Sequence, residues 1–98
     1  MLKQPKTDVT GDAAKFLTAL GNRKRLAIVG HLLDEEMSVN EIAEQVSLSQ
    51  SALSQHLAKL RGLNLVQTRR DRQMIYYSCK SEEVRKLYNT LNDIFGEM

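Results

Sequence analysis

The sequence predicts a mainly α domain with one small two-stranded β-hairpin (α+β), in the order α-α-α-α-β-β-α. Three observations carry this. Apolar residues recur at helical spacing in successive stretches, Ser, Asn and Gly stand where those stretches should begin or end, and one segment around residue 70 switches to β-prone runs on either side of a polar bridge. Ninety-eight residues fit a single domain with a core of modest size and leave too little chain for a large substrate cleft as well. A hydrophobic fraction of 42% places the chain among globular proteins and not disordered ones.

Residues 1–11 are polar, hold the only proline, Pro5, and show no periodicity, so a flexible tail is expected there. From Asp12 the pattern is helical: Ala13, Phe16, Leu17 and Leu20 repeat at i, i+3, i+4, i+7, and Gly21-Asn22 supplies a C′ residue followed by an N-cap. This predicts a first helix over 12–20. A second should span 23–33, with Leu26, Ile28, Val29, Leu32 and Leu33 apolar on more than one side, as suits a helix surrounded by others, and Gly30 within it implies close packing. Ser38-Val39-Asn40-Glu41 is a capping box that opens a third helix with the stripe Val39, Ile42, Ala43, Val46. Ser47-Leu48-Ser49 leaves room only for a tight turn before a fourth helix. Ser49 caps that helix, and it should end near Arg61, with Gly62 in a left-handed C′ position and Leu63 making the accompanying hydrophobic contact. Two short helices joined by three residues form a helix-turn-helix. Leu65-Val66-Gln67-Thr68-Arg69 and Met74-Ile75-Tyr76-Tyr77-Ser78-Cys79 flank the bridge Arg70-Asp71-Arg72-Gln73, which predicts an antiparallel wing over 65–79 with three arginines at its tip. Ser81 caps a last helix, with Glu82 and Glu83 in its first turn and a stripe of Val84, Leu87, Tyr88, Leu91, Ile94 and Phe95. Residues 12–98 thus read as one winged helix-turn-helix domain, with no repeat or linker dividing it.

The fourth helix divides its labour. Leu53, Leu57 and Leu60 anchor one side, whereas Gln50, Ser51, Ser54 and Gln55 carry hydroxyls and amides suited to base edges in a major groove. Alone, such a helix would be read as amphipathic and merely solvated; the turn before it and the wing after it reverse that reading. The net charge of +2 says little, but its distribution says more. Residues 50–72 hold Lys59, Arg61, Arg69, Arg70 and Arg72 against the single acid Asp71, while residues 32–49 hold Asp34, Glu35, Glu36, Glu41 and Glu44 and no Lys or Arg. Charge separated in this way suits a protein with one face toward phosphates. Backbone contacts with double-stranded DNA are therefore expected from Ser49, His56, Lys59, Arg61, Arg69, Arg70, Arg72 and Gln73, and from Arg23 and Lys24 of the cluster Arg23-Lys24-Arg25.

The first and last helices carry apolar stripes that the core does not require. Pairing of Phe16, Leu17, Leu20, Leu87, Tyr88, Leu91, Ile94 and Phe95 between two copies would cover them, and the resulting two-fold homodimer would present two reading heads to an inverted repeat. No stretch approaches about 18 consecutive apolar residues, and the N-terminus lacks the apolar run of a signal peptide, so no membrane partner and a cytoplasmic location are expected. The single Cys79 cannot form an internal disulfide. Alternation puts it on the side of Ile75 and Tyr77, where a free Cys acts as a small hydrophobe, and a redox role would need an intermolecular bond or a sulfenic acid. His31 reads as structural, and His56 as bonding to a phosphate or a backbone group. Ser54, His56 and Asp71 do not make a catalytic triad, since no nucleophile elbow or oxyanion loop accompanies them, so enzyme activity is not expected.

The run Leu48-Ser49-Gln50-Ser51-Ala52-Leu53-Ser54-Gln55-His56-Leu57, followed by Leu60-Arg61, Gly62-Leu63 and the wing residues Arg69-Arg70-Asp71-Arg72-Gln73 with Ile75-Tyr76-Tyr77, resembles the ArsR/SmtB transcriptional repressors over about residues 12–97. Within that family it is similar to the metal-independent NolR and HlyU type. The resemblance implies a homodimeric winged helix-turn-helix repressor of promoter inverted repeats, with base-contacting positions at Gln50, Ser51, Ser54 and Gln55. Two departures bear on regulation. Metal sensors of the family carry Cys-x-Cys at the start of the third helix, where this chain has Met37-Ser38-Val39-Asn40. The C-terminal metal site uses His and acids, and residues 82–98 have no His. No metal and no cofactor are expected, and any effector is left open. The alternatives are a redox- or ligand-responsive repressor, or a winged interaction module that does not read DNA.

Overall fold

The computed structural model describes residues 8–98. These form α1 (Val9–Leu20), α2 (Arg23–Asp34), β1 (Met37–Ser38), α3 (Val39–Val46), α4 (Gln50–Gly62), β2 (Gln67–Asp71), β3 (Met74–Ser78) and α5 (Glu82–Phe95). The first seven residues of the expected tail lie outside the described residues, and most of the remainder is helix. Asp12 donates its amide to the Asp8 carbonyl at 2.8 Å, so α1 begins at Val9. Val9, Thr10 and Gly11 are weak helix formers, which is why propensity alone pointed to a start at Asp12.

The remaining helix boundaries follow from local hydrogen bonding. Asn22 caps α2 by accepting from the amides of Lys24 and Arg25 at 3.0 and 3.1 Å. Both halves of the capping box form: Ser38 donates its amide to Glu41 Oε1 at 2.8 Å, and Glu41 donates its amide to Ser38 Oγ at 3.3 Å. The three-residue turn between α3 and α4 starts with Ser47 in the left-handed region at φ 56°, and Ser49 Oγ then accepts from the Ala52 amide. The expected end of α4 is displaced. Gly62 stays helical and Asn64 takes the left-handed position at φ 59°, while the amides of Asn64 and Leu65 return to the carbonyls of Arg61 and Leu60, each at 2.9 Å. This is Schellman closure with Asn at C′, so Leu65 enters the core and Leu63 is left exposed. Asn tolerates that conformation nearly as Gly does, and the register therefore slips by two residues. Gly21 likewise ends α1 without turning left-handed.

One core fills the molecule. Ile28, Val29 and Leu32 of α2 pack with Ile42 and Val46 of α3, Leu53, Leu57 and Leu60 of α4, Val84 of α5, and Leu65, Val66 and Cys79 from the base of the wing. Burying each large aliphatic side chain is worth about 1.5–3 kcal/mol, which makes α2 the hub on which the other helices sit. The sheet has three strands, not two, in the order β1-β3-β2. Met37 and Ser38 pair with Tyr77 and Tyr76, an addition too short to show any period in the sequence. The hairpin pairs Gln67 with Ser78 through Asp71 with Met74 and turns at Arg72-Gln73, with Arg72 at φ 61°. Leu65 and Val66, expected in the first strand, are core residues ahead of it.

The close packing expected at Gly30 is against Tyr88: a Cβ at Gly30 would lie 2.7 Å from Tyr88 Cζ and overlap the hydroxyl. Helix propensity alone would have Gly30→Ala stabilise the protein by about 1 kcal/mol. Overpacking costs about 1–3 kcal/mol, so we expect the substitution to lower urea stability and to do so less in a Tyr88→Ala background.

Candidate nucleic-acid interface

The side chains expected to read DNA sit on the outer face of α4. Leu53, Leu57 and Leu60 are buried, and Ser51, Ser54 and Gln55 are exposed. At about 100° per residue, Ser51 and Gln55 lie roughly opposite Leu53, with Ser54 on their flank. Gln50 is exposed too, but its amide donates to Asn40 Oδ1 at the start of α3. Sequence reasoning missed the Asn40 contact; the signal was its position inside the capping box, which puts it at the N-terminus of α3, where it meets Gln50 at the N-terminus of α4.

The basic residues divide into two groups. Arg70 donates Nε to the Arg72 carbonyl at 3.1 Å, which leaves its terminal nitrogens at the exposed wing tip together with Arg72 and Gln73. Lys59 and Arg61 are exposed on α4. Two other expected backbone contacts are otherwise engaged. Arg69 is not at the tip: its Nε donates to Glu36 Oε2 at 2.8 Å, and its guanidinium lies 4.9 Å from the Tyr76 ring centroid. That hydrogen bond holds Glu36 below the ordinary carboxylate pKa and ties the wing to the loop before β1. Lys24 donates Nζ to the Val46 carbonyl at 2.5 Å, and so staples α2 to the C-terminus of α3. Arg23, a third expected contact, is exposed at the rim of the cleft between α2 and α5, near Gly30, Asp34, Arg85 and Tyr88. A contiguous basic run on a helix spreads around it, and only geometry shows which members face outward.

The residues expected to pair two copies also divide. Leu20 is buried in the core of its own chain, and Phe16, Leu87 and Tyr88 pack partly against that core. Leu91 is half-buried. Leu17, Ile94 and Phe95 are 55%, 64% and 75% exposed, and Val9, which the sequence assigned to the tail, is 68% exposed.

His56 is half-buried, with Nδ1 3.4 Å from Arg25 Nη1. Burial, reinforced by the charges of Arg25, Lys59 and Lys24, holds its pKa below the usual value. The unfolded chain, titrating near 6.5, then binds more protons than the folded one as pH falls through that value, so stability is lost on acidification and is unaffected above it. The thermal midpoint of the wild type should therefore drop more than that of His56→Asn between about pH 7.5 and about pH 5.5; parallel declines would contradict this. Burial pushes the Cys79 thiol up, an environment that disfavours the reactive thiolate. No three His, Cys, Asp or Glu side chains gather as a metal cluster among the described residues. No helix there is long and apolar enough to cross a membrane.

Comparison with known proteins agrees with this geometry. The family model for "Bacterial regulatory protein, arsR family" matches residues 22–68, from the N-cap of α2 into β2. Nodulation protein NolR of Rhizobium meliloti is 58% identical over 85 residues, covering 87% of this chain and 70% of NolR. Transcriptional activator HlyU of Vibrio cholerae is 45% identical over 83 residues, covering 85% of this chain and 77% of HlyU. The crystal structure of NolR from Sinorhizobium fredii superposes with a TM-score of 0.89 at 50% identity, covering 98% of this chain and 100% of that one. The homodimeric winged helix-turn-helix DNA-binding domain of Mb0332 from Mycobacterium bovis superposes with a TM-score of 0.82 at 27% identity, covering 96% of this chain and 89% of that one. A helix-turn-helix with an exposed polar face, a basic wing and this degree of likeness leave one assignment: the chain belongs to the arsR family of bacterial regulatory proteins, and is a winged helix-turn-helix transcription regulator, not an enzyme.

Proposed function

We propose that the chain acts as a homodimer that binds a promoter inverted repeat in double-stranded DNA and represses transcription, with no regulatory metal. The observation that carries this reading is the outer face of α4. Ser51, Ser54 and Gln55 stand exposed there, opposite the buried leucines, on a chain whose wing tip carries Arg70 and Arg72. Gln50, Ser51, Ser54 and Gln55 would meet base edges. Ser49, Lys59, Arg61, Arg70, Arg72 and Gln73 would meet the DNA backbone, with His56 as a neutral donor beside them. Exposed Val9, Leu17, Ile94 and Phe95 support a second copy as partner, and the Mycobacterium bovis relative is homodimeric.

A dimer seated across a promoter excludes other proteins from it, which is the ground for reading the chain as a repressor, although HlyU is named an activator. The absence of a thiolate pair at 37–40 and of histidine in 82–98 supports metal independence. Such a protein would work in the cytoplasm, on the nucleoid. Selection of bound fragments from genomic DNA should return inverted repeats, and adding protein should lower transcription from the linked promoter in vitro. Fragments without symmetry, or raised transcription, would contradict the proposal.

Base reading and backbone anchoring should separate on mutation. Gln55→Ala is expected to cost about 1–3 kcal/mol on the selected site and little on scrambled DNA, whereas Arg70→Ala should weaken both alike. Titrations on the two DNAs decide this, and equal losses from Gln55→Ala would remove it from the reading surface.

A further inference from the structure

Two recognition helices can read half-sites at one fixed spacing only if each is held at a set angle to the helices that join the copies. Arg25 of α2 stands at that junction. Its Nε donates to the Ala19 carbonyl at 2.6 Å, its Nη2 to the Thr18 carbonyl at 3.5 Å, and its Nη1 lies 3.4 Å from His56 Nδ1 on α4. Thr18 and Ala19 lie in the last turn of α1, where carbonyls lack helical partners and the helix dipole is negative, and α1 has no basic residue of its own there. Arginine only donates, so His56 Nδ1 must accept and the ring proton sits on Nε2. One planar guanidinium therefore joins the α1 terminus to the recognition helix, a bridge that a point charge could not make.

The surroundings of this junction are cationic. Lys15 of α1, Arg25 and Lys59 of α4 line one cleft with Thr18, Ala19 and Leu63, and Lys24 adds its charge from α2; no acid lines the cleft. A proton on His56 would turn its Nδ1 from acceptor to donor, facing another donor among like charges.

We propose that Arg25 is a positioning residue that sets the angle between α1 and the recognition helix α4, and hence the half-site spacing the dimer accepts, with His56 as its contact on α4. The inference rests on the reading of the chain as a dimer on an inverted repeat. The test measures affinity for the selected repeat, for versions with the spacer changed by a base pair or two, and for an isolated half-site. The wild type should lose about tenfold or more off the optimal spacing, comparable to the cost of a mismatched base pair. Arg25→Gln and Arg25→Lys should discriminate by less than about threefold while binding the half-site like the wild type. His56→Asn, whose amide oxygen stands where Nδ1 does, should keep the selectivity. Should the Arg25 variants fail to fold by circular dichroism, His56→Ala carries the same expectation of relaxed spacing. Unchanged spacing selectivity in Arg25→Gln, or in His56→Ala where the Arg25 variants fail to fold, would overturn the proposal. If the wild type binds no inverted repeat at all, the functional reading itself falls, and this inference with it.

Discussion

Replacing Ile94 and Phe95 together with glutamate is expected to leave a folded monomer whose affinity for the inverted repeat is lower by about 10²–10⁴-fold, the advantage of engaging a second half-site from a tethered first one. These two side chains lie on α5 with most of their surface in water, and neither belongs to the core built on α2. Removing them should thus cost the protomer little, whereas a dimer seam loses an aromatic that can bury about 150–250 Å². Light scattering after size exclusion reads the result directly: the wild type should run as a dimer at micromolar concentration and the double variant as a monomer with an unchanged circular dichroism spectrum. A monomeric wild type would remove the dimer from the account, and a dimeric variant would remove Ile94 and Phe95 from its seam.

Salt should act nearly as strongly. If the dimer meets roughly 6–10 phosphates, raising salt from about 50 to about 200 mM weakens binding about 10³–10⁵-fold. The structure sharpens which cations carry that slope. Arg70 and Arg72 are exposed at the wing tip and form no ion pair among the described residues, so Arg72→Ala should reduce the slope by about two per dimer, one for each wing. Arg69 already has Glu36 as counter-ion and Tyr76 beneath it, and Arg69→Ala should scarcely change the slope. A slope lowered by Arg69→Ala and untouched by Arg72→Ala would reverse this division.

The helices were legible where apolar spacing and caps agreed. Asn22, the Ser38–Glu41 box, Ser49 and Ser81 all cap as their positions imply, because a cap is a local contact between residues two or three apart. What escaped notice depended on partners far along the chain. β1 is strand only because Tyr76 and Tyr77 come to lie beside it, and Leu65 is core because its amide closes α4 through Asn64. The same holds for the interface. The outward face of α4 could be read from its own leucines, whereas the engagement of Lys24 by Val46, of Arg69 by Glu36 and of Gln50 by Asn40 joins residues 22, 33 and 10 positions apart. Charge in the sequence marks where cations are; whether a carbonyl or carboxylate has already taken one is a property of the fold.

A footprint of the protein on a selected genomic fragment tests the central claim most directly. The account predicts two protected major-groove segments related by two-fold symmetry, with centres about one helical turn, roughly 34 Å, apart and flanked by protection where the wings lie. A single asymmetric patch, or protection confined to a minor groove with no major-groove contact, would contradict it.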